Sequence, residues 1–468
     1  MVDNQGMQKL SVLMPVYNEA RTLRTIVERV FAAPIEMEIE LVAVNDGSSD
    51  DSLKLLHDLA REDDRIVVVN QPRNMGKGMA IRTAIKQMTG DIGIVQDADL
   101  EYDPKEIPKV LAPILSGQAD AVYGSRFAAS EQRRVLFYWH SLGNRILTTL
   151  SNMFNDLNLT DMETCYKAVR GDLLKRLRFT SERFGFEPEI TARLAGWGAR
   201  IYEVPISYHG RTYDEGKNIG WRDGLEALWL VFKFRFIDTK STEDDSVTTR
   251  QSLGRAPRYR RWILDSFDRH TGDSILEVNA GPGHTTSQLL GAKRLLATDS
   301  EPVHAETLQR RFGHMANVEV RQHDFADSPV DAAGFDTAIL FDGLQRESDP
   351  KQLLVNVAAS LEPAGRILIH VPSDASLHGR MDDAIGIAQR FDESSLRQLI
   401  EAAGLELVLM EPFNRAGAVA WKLVNARGST HIGPFSARIY DLSTPFARRL
   451  DRVLPNRPLS WVAVARVI

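Results

Sequence analysis

The sequence predicts two α/β domains, and three observations support this prediction. Short runs rich in Val and Ile alternate with helical stripes in the first half, a polar and charged stretch follows, and a second alternation begins after it. A chain of 468 residues also exceeds one ordinary hydrophobic core. Such alternation favours parallel sheets that helices cover on both faces. We expect an N-terminal domain over 1–238, a linker over 239–258 and a C-terminal domain over 259–468.

Composition narrows the possible partners and the compartment. Hydrophobic residues make up 43% of the chain and charged residues 26%, and the net charge of −6 does not favour nucleic acid as a partner. The single cysteine, Cys165, excludes an internal disulfide and fits a reducing compartment. No apolar signal-peptide core and no run of roughly 18 apolar residues is present. These features predict a cytoplasmic protein.

The N-terminal domain contains five runs typical of strands: LSVLMPVY, IELVAVND, RIVVVNQ, DIGIVQD and DAVYGSR. Helical spacing of apolar residues is found between them in EARTLRTIVERVF, DDSLKLLHDLA, GKGMAIRTAIKQM and PKEIPKVLAPIL. Ligands of such sheets bind beyond the carboxyl ends of the strands. We therefore expect Asn18-Glu19, Asp46-Gly47 and the segment from Asp97 to Glu101 to line one crevice.

Three carboxylates, Asp97, Asp99 and Glu101, follow the fourth predicted strand in QDADLEYD. Oxygen ligands suit Mg²⁺ or Mn²⁺, and Mg²⁺ often uses one or two carboxylates together with the phosphates of a substrate. Acidic residues at a strand end can equally be solvated turn residues. The motifs around this segment therefore decide between the two interpretations.

Five motifs occur in order along the N-terminal domain: LSVLMPVYNEARTL, VNDGSSDDS, NMGKGMAIRTA, QDADLEYDP and YGSRF. Together they resemble the family-2 glycosyltransferases of the GT-A fold. The later segment FGFEPEITARLAGWGARIYEVPISYHGRTYDEGKNI resembles the subgroup of dolichyl- and polyprenyl-phosphate mannose or glucose synthases. The resemblance covers Leu10 to Trp229. It implies a metal-dependent, inverting transfer of a hexose from GDP-mannose or UDP-glucose to a polyprenyl or dolichyl phosphate.

The resemblance also implies roles for individual residues. Binding of the nucleotide sugar is expected from Pro15, Tyr17, Glu19, Asp46, Lys77 and Asp97. The metal, Mg²⁺ or Mn²⁺, is expected at Asp97, Asp99 and Glu101. The catalytic set consists of Asp99 with three cations that would position an acceptor phosphate, namely Arg126, Arg211 and Lys217. Taken alone, Tyr17 could be a core aromatic residue and each cation a surface charge.

This chain departs from the subgroup in ways that leave a second acceptor open. Glu101 stands where many members have Gln, Gly216 where Ser is usual, and Leu142 where a basic residue is common. The alternative is a saccharide hydroxyl in the assembly of a cell-surface polysaccharide, combined with a degenerate C-terminal domain. A hydroxyl needs a general base, for which Asp161 or Glu187 is available.

Two apolar helical segments bear on contact with a membrane. The segment LFYWHSLGNRILTTLSNMF is either a core helix or a groove for an isoprenoid chain, and LEALWLVFKFRFI (Leu225 to Ile237) is either a buried or an interfacial helix. The first segment aligns Leu136, Trp139, Leu142, Ile146, Leu150 and Phe154 near one face. Without a membrane span, such an enzyme would contact the inner face of the membrane peripherally.

The C-terminal domain opens with a nucleotide-binding pattern, SILEVNAGPGHTT, followed by ATDS. Glu277 and Asp299 are 22 residues apart, close to the spacing at which an acid meets a ribose. Gly281 and Gly283 permit close approach of a ligand to the backbone, and we expect a helix directly after Gly283. The glycines do not form the GxGxxG pattern of a dinucleotide site.

The chain has an acidic residue before this turn and another on the next strand. This pattern resembles class I S-adenosylmethionine-dependent methyltransferases, and the resemblance extends from about Trp262 to the C-terminus. The resemblance implies that S-adenosylmethionine contacts Glu277, Gly281, Gly283, Asp299, Asp324 and Phe325. Asn279 replaces the first glycine of the turn, and Ile387 stands where fused relatives often have His. We expect a methyltransferase of the same glycan or glycolipid pathway, with a degenerate structural or regulatory domain as the alternative.

Overall fold

The computed structural model describes residues 7–128, 138–183, 185–210, 221–236, 256–332, 334–341, 343–426, 432–455 and 457–468, together with residues 249, 252 and 254. The chain divides into two compact units, Met1–Glu243 and Asp244–Ile468. Each unit is built on a seven-stranded sheet. The prediction of two α/β domains is therefore confirmed, whereas the predicted linker lies largely outside the described residues.

The first unit alternates strands and helices as its apolar pattern predicts. In chain order it contains β1 (Lys9–Val16), α1 (Leu23–Phe31), β2 (Glu38–Asn45), α2 (Ser52–Glu62), β3 (Ile66–Asn70), α3 (Lys77–Gln87), β4 (Ile92–Val95), α4 (Ile107–Leu115), β5 (Ala121–Ser125), α5 (Tyr138–Asn155), β6 (Lys167–Arg170), α6 (Gly171–Arg176), α7 (Phe186–Trp197), β7 (Ile201–Pro205) and α8 (Trp221–Phe236). All five predicted strands are present.

The first sheet has the order β3-β2-β1-β4-β6-β5-β7 and is mixed. Strand β6 runs antiparallel to both of its neighbours, β4 and β5, so the expectation of a purely parallel sheet is wrong at this position. With only four residues, β6 is too short to show a strand period in the sequence.

The parallel strands of this sheet bring the predicted site residues to one edge. Val16 at the end of β1 pairs with Asn45 at the end of β2, and Asn45 pairs with Asn70 at the end of β3. Strand β4, which leads into the carboxylate segment, pairs with β1 on its other side. The interiors of β1, β2, β4 and β5 are buried because the sheet packs against helices on its faces. The crevice expected beyond the strand ends is therefore formed by the loops after β1, β2 and β4.

The second unit contains β8 (Ser274–Val278) to β14 (Ser460–Val467) and seven helices within the described residues. Its elements are α9 (Pro257–Asp265), β8, β9 (Arg294–Asp299), α10 (Pro302–Phe312), β10 (Val318–Gln322), β11 (Phe335–Phe341), α11 (Pro350–Ala359), β12 (Leu361–Pro372), α12 (Arg380–Ile385), α13 (Glu393–Ala402), β13 (Leu405–Phe413), α14 (Arg415–Ala426), α15 (Pro434–Leu450) and β14. The sheet order is β10-β9-β8-β11-β12-β14-β13, and only β14 runs antiparallel to its neighbours.

One predicted element of the second unit is wrong. The helix expected after Gly283 is only a single 3-10 turn, Thr286–Gln288. Two adjacent threonines precede and begin this turn, and β-branched residues disfavour a helix. The Thr286 hydroxyl also donates a hydrogen bond to Glu277 in β8, the strand before the turn.

Among the described residues, no helix is both long enough and apolar enough to cross a membrane.

Candidate functional site

The loop after β1 presents its polar and aromatic side chains at the crevice. Tyr17 is 48% exposed, so the alternative that it is a core residue is wrong. Asn18 adopts a positive φ of 54°, and its Oδ1 accepts a hydrogen bond from the backbone N–H of Ser49 at 2.8 Å. This bond ties the loop after β1 to the loop after β2. Pro15, in β1, and Glu19 are both partly buried.

Asp46 organises the backbone that leads into α3. Its carboxylate accepts hydrogen bonds from the backbone N–H groups of Met75 (2.7 Å) and Gly76 (2.8 Å), and its side chain is buried. Gly47 follows with φ +67°, and a Cβ there would lie 2.4 Å from the backbone of Arg73. The loops after β2 and β3 are therefore held against each other at the edge of the crevice.

Lys77 joins the loop after β4 to α7. Its Nζ lies 2.9 Å from Asp97 Oδ1 and 3.0 Å from Glu187 Oε1. Burial lowers the pKa of Lys77, but the carboxylates of Asp97 and Glu187 raise it by a larger amount. The resulting pKa is well above the ordinary value. The ammonium therefore stays charged and neutralises part of the negative charge at the carboxylate segment.

The three predicted metal ligands have different partners. Asp97 pairs with Lys77, Asp99 Oδ1 accepts from the backbone N–H of Glu101 at 3.0 Å, and Glu101 Oε2 accepts from the Tyr208 hydroxyl at 2.6 Å. In the described part of the chain, no group of three or more His, Cys, Asp or Glu side chains is arranged to hold a metal. Mg²⁺ often takes only one or two carboxylates and completes its ligands with phosphates and water, so these three carboxylates are the groups from which such an ion would draw its protein ligands.

Sequence reasoning did not single out His209, which lies beside this segment. Its backbone N–H donates to the carbonyl oxygen of Glu101 at 2.9 Å, and its side chain is exposed. The contact places the backbone of His209 next to the carboxylate segment.

Arg126 forms the best-defined ion pair of the crevice, with Asp161. Its Nε and NH2 lie 2.6 and 2.7 Å from the two carboxylate oxygens, and its backbone N–H donates to the same carboxylate at 3.0 Å. The guanidinium also lies 5.2 Å from the centre of the Tyr208 ring. Burial would raise the pKa of Asp161, but Arg126 more than offsets it, so the net pKa is lowered. The other two predicted cations, Arg211 and Lys217, lie outside the described residues.

Glu163 is a second residue that the sequence analysis missed. Burial and the neighbouring Glu187 carboxylate raise its pKa to about 7, against the opposing effect of Lys167 and Arg126. Its Oε1 is buried, and no described group donates a hydrogen bond to it. The short segment between α5 and β6 gave no motif that would have identified it. Near neutral pH this carboxyl can release or take up a proton.

Two helices of the first unit expose aromatic residues. Trp139 and Ile146 on α5 are 78% and 47% exposed, so core packing does not account for that stripe, whose first residue, Leu136, lies outside the described residues. Helix α8 buries Val231 and exposes Trp229 (53%), and it packs against α5. Neither helix is fully buried, and both present apolar surface to solvent.

In the second unit, Glu277 and the glycine-rich turn lie together. Glu277 Oε2 accepts a hydrogen bond from the Thr286 hydroxyl at 2.7 Å, and burial raises the pKa of Glu277 to about 7 although this hydrogen bond lowers it. Asp299 Oδ2 accepts from the backbone N–H of Gly281 at 2.7 Å, and Oδ1 lies 3.1 Å from His304 Nδ1. Burial raises the pKa of Asp299, but these contacts give a net lowering.

Asn279, which replaces the first glycine of the turn, can adopt the backbone conformation that this turn requires. Asn279, Gly281 and Gly283 have positive φ angles of 54°, 59° and 84°. Asn is, after Gly, one of the residues that best tolerate this region. A Cβ at Gly283 would lie 2.4 Å from the Phe312 ring, so this glycine allows the turn to pack on α10.

The other two residues expected to contact S-adenosylmethionine, Asp324 and Phe325, have different environments. Asp324 is exposed, and its Oδ1 accepts from the backbone N–H of Ala326 at 2.9 Å. Phe325 is only 1% exposed and packs in the hydrophobic core, with the His323 ring 4.6 Å away. Ile387 is also buried, in a small apolar cluster with Met381. The structure therefore brings Glu277, the glycines and Asp299 together, and it places Phe325 in the core.

Each half of the chain contains a segment that matches a protein family. Residues 11–178 match the family described as glycosyl transferase family 2, and residues 253–409 match a family described as methyltransferase domain. Each match covers about a third of the chain. The two resemblances inferred from the sequence motifs are thereby confirmed, in the predicted order.

Individual relatives match about half of the chain. Undecaprenyl-phosphate 4-deoxy-4-formamido-L-arabinose transferase from Proteus mirabilis (strain HI4320) is 29% identical over 46% of this chain and 64% of its own length. The transferase of the same name from Edwardsiella ictaluri (strain 93-146) is 31% identical over 46% of this chain and 65% of its own length. The chain thus spans less than two thirds of these relatives. Among solved structures, glucosyl-3-phosphoglycerate synthase from Mycobacterium tuberculosis, with Mn²⁺, uridine diphosphate and phosphoglyceric acid, is 18% identical over 50% of this chain and 80% of its own, at a TM-score of 0.40.

Proposed function

Because the chain joins a family-2 glycosyltransferase domain to a methyltransferase domain, we propose that it moves a hexose from a nucleotide sugar to a polyprenyl phosphate. We further propose that its second domain uses S-adenosylmethionine to methylate a glycan or glycolipid of the same pathway. The similarity to two undecaprenyl-phosphate 4-deoxy-4-formamido-L-arabinose transferases supports this class of acceptor.

The ion pairs of the crevice favour a lipid phosphate over a hydroxyl as the acceptor. Asp161 is held by Arg126 and Glu187 by Lys77, so both carboxylates predicted as bases are already neutralised by a cation. A lipid phosphate is anionic and needs positioning by cations, whereas a hydroxyl needs a base. Because the carboxylates of Asp161 and Glu187 are paired with cations, they are poorly suited to act as general bases. The crevice therefore suits a phosphate nucleophile, which needs no base.

In the proposed reaction an oxygen of the lipid phosphate attacks C1 of the hexose, and the bond from C1 to the nucleoside diphosphate breaks. The electron pair leaves with the diphosphate, and no proton has to be removed from the nucleophile. A divalent ion, when bound, would neutralise the charge of this leaving group, and Asp99 would be one of the protein carboxylates that hold it. Lys77 adds a fixed positive charge at the same strand end. Tyr17, exposed at the crevice, is available to pack against the nucleotide.

The exposed aromatic residues of α5 and α8 support an acceptor that is part of a membrane. Trp139 and Trp229 are both more than half exposed, at 78% and 53%. Tryptophan is favoured at the boundary between water and lipid because one side of the ring is apolar and the N–H remains hydrated. Peripheral contact through these helices would bring the crevice to the lipid phosphate.

For the second domain, the proposal rests on the turn between β8 and β9. Asp299 is ionised and oriented by the backbone N–H of Gly281, which suits a carboxylate that accepts hydrogen bonds from ribose hydroxyls. Asn279 keeps the positive φ of the glycine it replaces, so the backbone path of the turn is retained. S-adenosylmethionine would supply the methyl group when bound there.

One observation favours a second candidate, transfer to a saccharide hydroxyl. Glu163 has a pKa of about 7 and a buried oxygen that no described group satisfies, which are properties of a general base. In that case the Glu163→Gln variant would lose transfer to hydroxyls by about a hundredfold or more. With a phosphate acceptor the same variant would keep most of its activity.

The test is a donor screen with and without acceptor. The full chain is incubated with Mn²⁺ and each of several GDP- and UDP-sugars, in the presence of a short-chain polyprenyl phosphate or of oligosaccharides, and lipid-linked sugar is measured by mass spectrometry. We expect one donor to give lipid-linked hexose, and Asp99→Asn to lower the rate by about a hundredfold or more. Asp64→Asn, at an exposed carboxylate of the same domain, is the matched control. Transfer to oligosaccharides alone would refute the lipid acceptor.

A further inference from the structure

Helix α15, the last helix of the second unit, exposes an apolar stripe. Ile439, Leu442 and Phe446 are 52%, 58% and 65% exposed. Their spacing of three and four residues places them on one side of the helix. Large apolar side chains that are exposed singly are common, but three in line on one helix form a continuous apolar strip.

The opposite side of α15 fixes the rotation of the helix. Ala437, Thr444 and Ala447 are buried against the rest of the unit. The carboxylate of Asp441 accepts hydrogen bonds from two backbone N–H groups at the start of α9, at 2.7 and 3.1 Å. A rotation that buried the apolar stripe would break these bonds, so the stripe is held facing outward in the second unit.

Positive charge borders the stripe. Arg438 and Arg449 are exposed and lie within about 40° of Leu442 around the helix axis, at 100° per residue. Neither arginine forms an ion pair with an acidic side chain in the described part of the chain. The only acidic residue of the helix is the buried Asp441. The outer face of α15 is therefore apolar and cationic, with no acidic residue.

The neighbouring helix α14 has the same character. It packs against α15, and its Val419 and Leu423 are 50% and 56% exposed, one helical turn apart. Lys422, between them, is exposed as well. The inner side of α14 is fixed by Trp421, whose indole N–H lies 3.3 Å from Asp382. Two adjacent helices thus expose apolar residues together with basic ones.

We propose that α14 and α15 lie on an anionic membrane leaflet. A helix with an apolar face bordered by Arg or Lys binds the lipid interface through buried apolar area and through attraction to anionic headgroups. The complete absence of acidic side chains from the exposed face of α15 matches a negatively charged surface rather than a second copy of this chain. This surface lies in the methyltransferase domain, and the proposal depends on neither of the activities proposed above.

The first test measures binding of the full chain to sedimented vesicles that contain no polyprenyl phosphate and no substrate. We expect binding to vesicles of phosphatidylcholine mixed with phosphatidylglycerol and weaker binding to phosphatidylcholine alone. Phe446→Glu should weaken binding between about tenfold and a hundredfold, and Arg449→Gln by about fivefold. Val408→Glu, at an exposed apolar residue of β13, should bind as the unchanged chain does. Equal binding by Phe446→Glu and Val408→Glu would overturn the proposal.

A second test separates this surface from the aromatic helices of the first unit. Cys165 is the only cysteine and is buried, so a thiol dye will react at an introduced surface cysteine. A polarity-sensitive dye at Leu442→Cys should shift to shorter wavelength with anionic vesicles, and a dye at Val408→Cys should not. Binding of vesicles without a shift at Leu442→Cys would show that the membrane contact lies elsewhere. A shift that depends on protein concentration and needs no vesicles would show a second copy of the chain at this surface, and it would also overturn the proposal.

Discussion

Replacement of Glu277 by Gln should stabilise the second unit at alkaline pH. Glu277 lies at the end of β8, is 2% exposed, and accepts a hydrogen bond from the Thr286 hydroxyl. Burial raises its pKa to about 7, from an ordinary value of 4.5. A glutamine has nearly the same shape and can keep the bond from Thr286 through its carbonyl oxygen, but it has no charge to bury.

The size and the pH range of the effect follow from these two pKa values. Because the folded state holds the proton more tightly than the unfolded state, the stability of the native chain falls as the pH rises from about 4.5 to about 7. At 1.36 kcal/mol per pKa unit, the ionised carboxylate costs about 3 kcal/mol above pH 7. Below pH 4.5 both states are protonated and this contribution vanishes. The gain from Glu277→Gln should therefore be about 3 kcal/mol at pH 8 and small at pH 5.

The assay has to report on the second unit alone. The chain is equilibrated in urea at pH 5, 6.5 and 8, labelled by a short pulse of hydrogen exchange at one fixed pH, and peptides that cover β8 and β9 are followed by mass spectrometry. Glu401→Gln, at an exposed carboxylate of α13, is the matched control and should change nothing. The reactivity of the buried Cys165 thiol reports on the first unit and should also stay unchanged. An equal gain at pH 5 and pH 8, or no gain at pH 8, would refute a buried, ionising Glu277.

Three further predictions concern the first unit. Arg126→Lys keeps the charge but loses the two-pronged contact with Asp161, so kcat/KM for polyprenyl phosphate should fall at least about tenfold in a steady-state assay. Lys77→Met leaves two carboxylates without their cation beside the donor diphosphate, and the KM for the nucleotide sugar should rise about tenfold or more. Gly47→Ala forces a Cβ against a neighbouring backbone at a positive φ, and thermal unfolding should show a loss of about 2 kcal/mol or more. Unchanged values in these assays would contradict the respective contacts.

Most of the fold could be predicted because its periodicity is local. The strands that become β1 to β5 each contain four to eight residues, most of them apolar, so the sequence alone marks them as strands. The antiparallel β6 could not be predicted, because its four residues acquire strand geometry only by pairing between β4 and β5. The missing helix after Gly283 is a similar case, since the bond from Thr286 to Glu277 fixes that turn through a contact beyond the local sequence.

The candidate site was predictable in its location and less so in its contacts. The strand ends bring Asp46 and Asp97 to one edge, as the alternation of strands and helices implies. The sequence does not reveal that Lys77 pairs with Glu187, because these residues come together only when α7 packs near the start of α3. The sequence could not identify Glu163 as a group with a raised pKa for the same reason. That pKa depends on burial by distant segments and on the nearby Glu187 carboxylate. Charge states are therefore a property of the fold, and motif spacing does not encode them.

The buried Glu277 also provides a test of S-adenosylmethionine binding that does not depend on methyl transfer. A carboxyl with a pKa of about 7 is partly protonated at neutral pH, and a cationic ligand nearby would favour its ionised form. S-adenosylmethionine carries a positive sulfonium, so its binding near Glu277 should release up to one proton. Calorimetry at pH 6.5 in two buffers of different ionisation enthalpy measures this release directly. The uncharged thioether S-adenosylhomocysteine should release fewer protons, and Glu277→Gln should release none. Binding without proton release in the unchanged chain would place the ligand away from Glu277, and the absence of any binding would favour the degenerate domain.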